Sequence, residues 1–247
     1  ALTIALFGAR AFAQEPDLKK QDRIGVLVFF RWNADWNNYM YSQEKVLKAM
    51  DLLEEAGLKW VRLDFGRSDI EPKKGKYTFK EFDWLVDELR KRDISVLGVL
   101  GYSPKWVSVT GKSNGAPKEL ETFSAYITET VRRYSGRVNH WEIWNEPNHE
   151  DYWEPQDKMT GYTKLLKVSY TAAKAANPQS VILLGGLANA DARDLKRIYE
   201  HGGKDYFDIV NIHFMDMYER DLKTHLYNDF RKVRSVMKQF GDEDKKI

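Results

Sequence analysis

The residue in this chain best placed to do chemistry is Glu146, a carboxylate set between Asn145 and Pro147 at the end of the run His140-Trp141-Glu142-Ile143-Trp144. The run alternates as a strand does, and Pro147 has no N–H to give a sheet ladder, so pairing must stop there and leave Glu146 at the C-terminal tip. Parallel α/β folds carry their active sites at that end of their strands. The competing reading of a lone strand-end carboxylate is a solvated terminus; the neighbouring Asn145 and Trp144 favour chemistry. Glu142 shares the parity of Glu146 but lies roughly 13 Å back along the strand at extended-chain rise. It therefore belongs to the interior, held by a partner. Arg62 supplies a cation, because Trp60, Arg62 and Asp64 fall on one face of an earlier strand and Val61, Leu63 and Phe65 on the other. By position it pairs with Glu142 or Asp64, and a buried guanidinium there orders a polar interior. Asn211 and His213 share a face of a later apolar segment. His201, His213, His225 and Asp216 lack the spacing of any recognised metal cluster, so no metal is assigned.

The elements that position these residues repeat one unit from Arg23 onward: a short apolar strand, a polar loop and an amphipathic helix, the alternation of a parallel sheet with crossover helices. Strands are predicted over 24–30, 60–65, 95–101, 138–146, 181–187 and 207–214, and a further strand begins at 245–247. The spacing predicts helices over 79–92, 120–134, 161–176, 191–199 and 229–240. Another starts at Ser42 as N-cap, turns Val46, Leu47, Met50, Leu53 and Ala56 to one side, and ends at Gly57. The loop after the first strand carries Arg31, Trp32, Asp35, Trp36 and Tyr39, too aromatic for a plain solvated connection. It has no resemblance to the Gly-rich first loop of an open doubly wound sheet, the other architecture that fits six strands.

Composition narrows the partners. A chain of 247 residues, 43% hydrophobic and 31% charged, has the size and make-up of one α/β barrel domain. The net charge is +2 with both signs interleaved, which gives no electrostatic case for nucleic acid or an anionic membrane surface. Aromatic residues make up 13% and include eight Trp, which suits a surface that stacks flat ligands such as sugar rings. The absence of Cys excludes disulfide and thiolate chemistry. Residues 1–13 are small and apolar apart from Arg10, and Ala11-Phe12-Ala13 before Gln14 fits the small-x-small pattern read by signal peptidase. They are read as part of a signal peptide, with an ordinary first strand or helix as the alternative. The reading predicts a secreted or periplasmic protein, with 14–247 as a single catalytic domain.

Trp144-Asn145-Glu146-Pro147 at a strand end resembles the fourth-strand signature of clan A glycoside hydrolases. The resemblance implies a (β/α)₈ TIM barrel in which Glu146 is the general acid/base and Asn145 binds the sugar hydroxyl next to the anomeric carbon. Val61-Arg62-Leu63-Asp64-Phe65 resembles the second-strand pattern, which implies that Arg62 hydrogen-bonds the nucleophile. The stretch from Ser68 to Phe79, with Leu100-Gly101-Tyr102-Ser103-Pro104-Lys105-Trp106, is similar to the second and third units of families 39 and 5. Glu146-Pro147-Asn148 with Tyr152-Trp153 leans towards family 39. His213 stands where the clan often has a histidine that binds substrate or supports the catalytic pair, whereas Met215 replaces a frequent Tyr. Arg67 replaces a Trp common in relatives, so one sugar platform is missing. Trp32, Tyr102, Trp106 and Trp144 are the remaining candidates for sugar contact.

The resemblance thus implies a retaining hydrolase of β-linked polysaccharides or oligosaccharides that needs no cofactor. Retention requires two carboxyl groups about 5 Å apart. The second is expected at the end of the seventh strand, which this chain only begins, so the barrel is expected to be incomplete at about six units and inactive as it stands. A carbohydrate-binding barrel without turnover is the alternative, although binding alone has no need of a proton donor. An aldolase would want a Schiff-base Lys at a strand tip, and none is found among the tips read here.

Overall fold

The computed structural model describes residues 24–31, 42–154, 158–214 and 221–247. Residues 1–13, Trp32, Asp35, Trp36, Tyr39, Met215 and Asp216 lie outside them. Five parallel strands stand side by side in chain order: β1 (Gly25–Val28), β2 (Trp60–Gly66), β3 (Ser95–Gly101), β4 (His140–Ile143) and β5 (Val181–Leu184). The crossovers carry α1 (Gln43–Glu55), a single turn α2 (Arg67–Ile70), α3 (Lys80–Lys91), α4 (Leu120–Arg133), α5 (Lys158–Ala176) and α6 (Ala192–Glu200), and α7 (Leu222–Gln239) follows. The Ser42 side chain caps α1 by accepting from the Lys45 N–H. Gly57 leaves that helix at φ 70°, a left-handed turn that glycine makes without steric cost.

Alternation along the strands separates two environments. Val61, Leu63 and Phe65 of β2, Trp141 and Ile143 of β4, and Ile182 and Leu184 of β5 are buried and belong to the main apolar core. Phe65 is the hub of this layer, stacked on Phe82 of α3 and edge-on to Trp141, with ring centroids 4.9 and 5.1 Å away. The opposite face carries Arg62, Asp64 and Glu142. Asp64 and Glu142 are brought level by pairing to the same residue of β3, Val99. Ile24, Val26, Leu27 and Phe29, in and beside β1, are exposed.

Several boundaries differ from the sequence reading. β4 ends at Ile143 and not at Glu146, because Trp144 and Glu146 take left-handed backbone angles, φ 69° and 43°, that no strand can contain. The segment 207–214 is joined to β5 and its continuation only by isolated bridges, Leu183 to Ile209 and Leu187 to Ile212, with Lys246 pairing Ile209 on the other side. α7 begins at Leu222, seven residues before the predicted start, where Asp221 caps it by accepting from the Thr224 N–H. The turn α2 was not anticipated.

Candidate active site

The inward face of β2 meets that of β4 through Arg62. Its Nε and Nη2 donate to the two Glu142 oxygens at 2.7 and 2.8 Å, and Nη2 also donates to Asn145 Oδ1 at 2.8 Å. The Glu142 side chain is wholly buried, and its Oε1 also accepts the Gly186 N–H at 2.9 Å. Burial works against the Arg62 charge, but the hydrogen bond and charge of Glu142 outweigh it and raise the guanidinium pKa. Glu142 is therefore the partner that Arg62 required, and Asn145 is oriented by it. A guanidinium has only donors, so it must face the amide oxygen, and the Asn145 NH₂ is turned elsewhere.

Glu146 stands just past β4 with its side chain 13% exposed. Its Oε1 lies 2.6 Å from His213 Nδ1, and His213 Nε2 lies 4.0 Å from Glu142 Oε1. The imidazole thus stands between the partly buried Glu146 carboxylate and the wholly buried Glu142 one. Gly186 sits against this ring, since a Cβ there would collide with His213 Nε2. Asn148 fastens the turn carrying Glu146 to the loop after β5: its Nδ2 donates to Ala188 O at 3.1 Å, and the Ala188 N–H donates to its Oδ1 at 2.9 Å.

Asp64 lines a cavity of about 360 Å³ with Ser68, Tyr102, Asn114 and Tyr152 among the other walls. Burial pushes its carboxyl up to about 6; the Arg62 charge opposes the shift, and Glu142 and Asp69 add to it. Burial, then the Asp64 charge, also raises the Tyr102 phenol. The sequence offered Asp64 only as a possible partner of Arg62 and Tyr152 only within the family 39 pattern, and neither as a wall of the site.

The aromatic candidates divide. Trp144 is fully buried, donates Nε1 to Tyr152 O at 2.6 Å and packs edge-on to Trp153, so it is a core residue and not a sugar contact. The left-handed backbone at Trp144 turns the indole under the loop instead of over the open end. Tyr102, at φ 62°, packs on Trp144 with centroids 5.7 Å apart and keeps part of its surface for the cavity. Trp106 is half-buried and donates Nε1 to Glu71 O at 3.3 Å. Arg67 is wholly buried, paired with Glu71 at 2.8 Å, and its guanidinium lies over the Trp106 ring at 4.9 Å. Trp32 lies outside the described residues. Among the described residues no group of three or more His, Asp and Glu could hold a metal ion.

Consecutive parallel strand-helix units, with polar side chains gathered on the inward face and a partly buried glutamate past the fourth strand, define the class: a (β/α)₈ barrel, incomplete in this chain. Residues 26–243 match glycosyl hydrolases family 39, and the chain belongs to that family. A solved family 39 glycoside hydrolase from the gut symbiont Bacteroides cellulosilyticus WH2 superposes with a TM-score of 0.62 at 28% identity, over 78% of this chain and 38% of that one. A monomeric β-xylosidase from Caulobacter crescentus CB15 shares the fold, with a TM-score of 0.63 at 21% identity over 80% and 46% of the two chains. The endo-1,4-β-xylanase 2 of Claviceps purpurea is 25% identical over 142 residues, 53% of this chain and 42% of that protein. The chain spans less than half the length of each of these relatives.

Proposed function

We propose that the protein is a retaining glycoside hydrolase that cleaves O-glycosidic bonds of a β-linked polysaccharide or oligosaccharide, with Glu146 as general acid/base. The observation that carries this reading is the contact of Glu146 with His213 beside an Asn145 amide held by Arg62, in a chain of family 39. Glu146 gives its proton to the leaving oxygen and then takes one from the incoming water. His213 Nδ1 stands 2.6 Å from Glu146 Oε1, so the imidazole holds the carboxyl in position for both roles. Asn145 donates its NH₂ to the hydroxyl beside the anomeric carbon, a contact that strengthens as the oxocarbenium ion develops. Glu142 is committed to Arg62 and Gly186 and does not attack. The nucleophile is expected, by the family resemblance, at the end of a seventh strand, of which Lys246 opposite Ile209 is the first pairing. Tyr102 and Trp106 line the approach to this centre. Residues 14–247 belong to one catalytic domain.

The deciding experiment is Glu146→Gln in the full-length protein. Hydrolysis of natural glycosides should fall by about 10²–10⁴-fold, the usual worth of a general acid, while aryl glycosides with good leaving groups still glycosylate the enzyme. Equal loss on both substrate types would assign Glu146 another role.

Export is the second part of the reading. Residues 1–13 act as a leader cleaved after Ala13, so N-terminal sequencing of exported protein should begin at Gln14. Mature protein that retains 1–13 would make those residues structural. No helix among the described residues is long and apolar enough to cross a membrane.

A further inference from the structure

The parallel ladder between β4 and β5 loses one rung where the turn carrying Glu146 begins. The Val181 N–H donates to Asn139 O at 2.7 Å, and the same register carried to the end of the pair would bring the Gly185 N–H to Ile143 O. A side chain takes that rung instead. The Tyr162 hydroxyl, from the second turn of α5, accepts the Gly185 N–H at 2.7 Å and donates to Ile143 O at 3.0 Å. Tyr162 is fully buried, with its ring edge-on to Trp153. Burial pushes the phenol far above its ordinary value, so the O–H that donates to Ile143 O stays protonated through neutral pH.

The chain accommodates this wedge with a bulge. Leu183 bridges Ile209 and Leu187 bridges Ile212, so the strand continuing β5 advances four residues where its neighbour advances three. The hydrogen bonds carry the same offset. The Leu184 N–H donates to Ile209 O at 3.1 Å, after which a regular ladder would pair Asn211 O with the Gly186 N–H, yet Asn211 O accepts from Leu187, also at 3.1 Å. The extra residue therefore lies in Gly185-Gly186, where glycine is required. A Cβ at Gly185 would stand 2.6 Å from Ile143 O and 2.9 Å from Trp144 O, and one at Gly186 would overlap the His213 ring. A bulge leaves its extra residue outside the ladder and re-aims the groups it carries. Here the freed Gly186 N–H turns to the inward face and donates to Glu142 Oε1 at 2.9 Å. The bulge also sets the imidazole, because the His213 N–H donates to Leu187 O at 2.9 Å and Gly186 lies against the ring whose Nδ1 is 2.6 Å from Glu146 Oε1.

We infer that Tyr162 is a positioning residue for the proposed general acid/base: its hydroxyl holds the Gly185-Gly186 bulge, and the bulge fixes His213 against Glu146 and the Gly186 N–H against Glu142. The inference rests on the hydrolase reading and deepens it, since it gives a wholly buried side chain of α5 a part in holding the proton donor. Without the phenolic oxygen, Ile143 O and the Gly185 N–H are buried groups whose nearest remaining partners are each other, and buried backbone groups do not stay unpaired. The rung then closes, the bulge is drawn out, and both inward contacts are lost.

The test is Tyr162→Phe in the full-length protein, which removes one oxygen and keeps the ring on Trp153. Its crystal structure, set beside that of the wild type, should show the Gly185 N–H bonded to Ile143 O and His213 Nδ1 withdrawn from Glu146 Oε1. On natural glycosides kcat should fall about tenfold with KM little changed, and on activated aryl glycosides much less, because the effect passes through the proton donor. Combining Tyr162→Phe with Gly186→Ala should lose no more activity than Gly186→Ala alone, since both act on one contact. Gly185→Ala disturbs the same bulge from the strand side with the hydroxyl intact; it should give the same kinetic signature, and it takes the place of Tyr162→Phe should that variant not fold. An unmoved His213 contact in Tyr162→Phe, a lowered melting temperature with kcat preserved, or losses that add in the double variant would make Tyr162 a structural tie only and overturn the inference. The crystallographic distance is read without turnover. A wild type that hydrolyses no glycoside, with the His213 contact still opened by Tyr162→Phe, keeps the positioning device and rejects only the hydrolase.

Discussion

Arg62 Nη2 lies 2.8 Å from Asn145 Oδ1 and 2.8 Å from Glu142 Oε1, so one nitrogen joins the residue before Glu146 to a carboxylate buried beneath it. The Asn145 side chain is thereby oriented by a strand two places away in the sheet. Rate and stability are coupled at this point.

Arg62→Ala would leave Glu142 buried with the Gly186 N–H as its remaining partner in this network. Breaking a buried ion pair from one side costs about 3–5 kcal/mol, and a urea melt of the full-length protein should show a loss of that order. Activity should fall as well, because the Asn145 amide is released. An unchanged melt with normal turnover would refute both the burial and the positioning role of Arg62.

Gly186→Ala tests the His213 contact without touching either partner. The new Cβ meets the imidazole, which must swing away from Glu146. If His213 acts through Glu146, the variant should lose turnover on natural glycosides by about tenfold or more and much less on activated aryl glycosides, the same leaving-group signature as Glu146→Gln. A uniform loss on both substrates would show that the imidazole serves binding instead.

Asp64 predicts a dependence of stability on pH. Its folded-state value of about 6 lies above the ordinary 3.8, so the native protein holds this proton longer than the unfolded chain. Stability contributed by the protonated form is therefore complete below about pH 4 and is lost as pH rises towards 6. Asp64→Asn removes the group, and its melting temperature relative to wild type should climb between about pH 4 and 6 and then level off. A constant difference across that window would mean that Asp64 is not held protonated.

The sequence by itself determined the parallel unit order, the inward parity of Arg62, Asp64 and Glu142, and the placing of Glu146 at the C-terminal end of the fourth strand. Those features follow from local rules: side chains alternate along a strand, apolar residues recur every three or four positions on a helix, and proline ends a ladder. Tertiary structure decided which of these residues meet. Arg62 and Glu142 are 80 positions apart, and His213 and Glu146 are 67, so their contacts depend on sheet register and on how the loops turn. The left-handed backbone at Trp144 and Glu146 shows why the reading from sequence stopped where it did. Alternation had carried the strand on to Glu146, and the resemblance had offered Trp144 to a sugar, but two residues in a sterically restricted region ended β4 early and the indole is in the core. Nothing local to Arg67 required its burial either, because a guanidinium is buried only when a carboxylate such as Glu71 and aromatic faces such as Trp106 are folded around it.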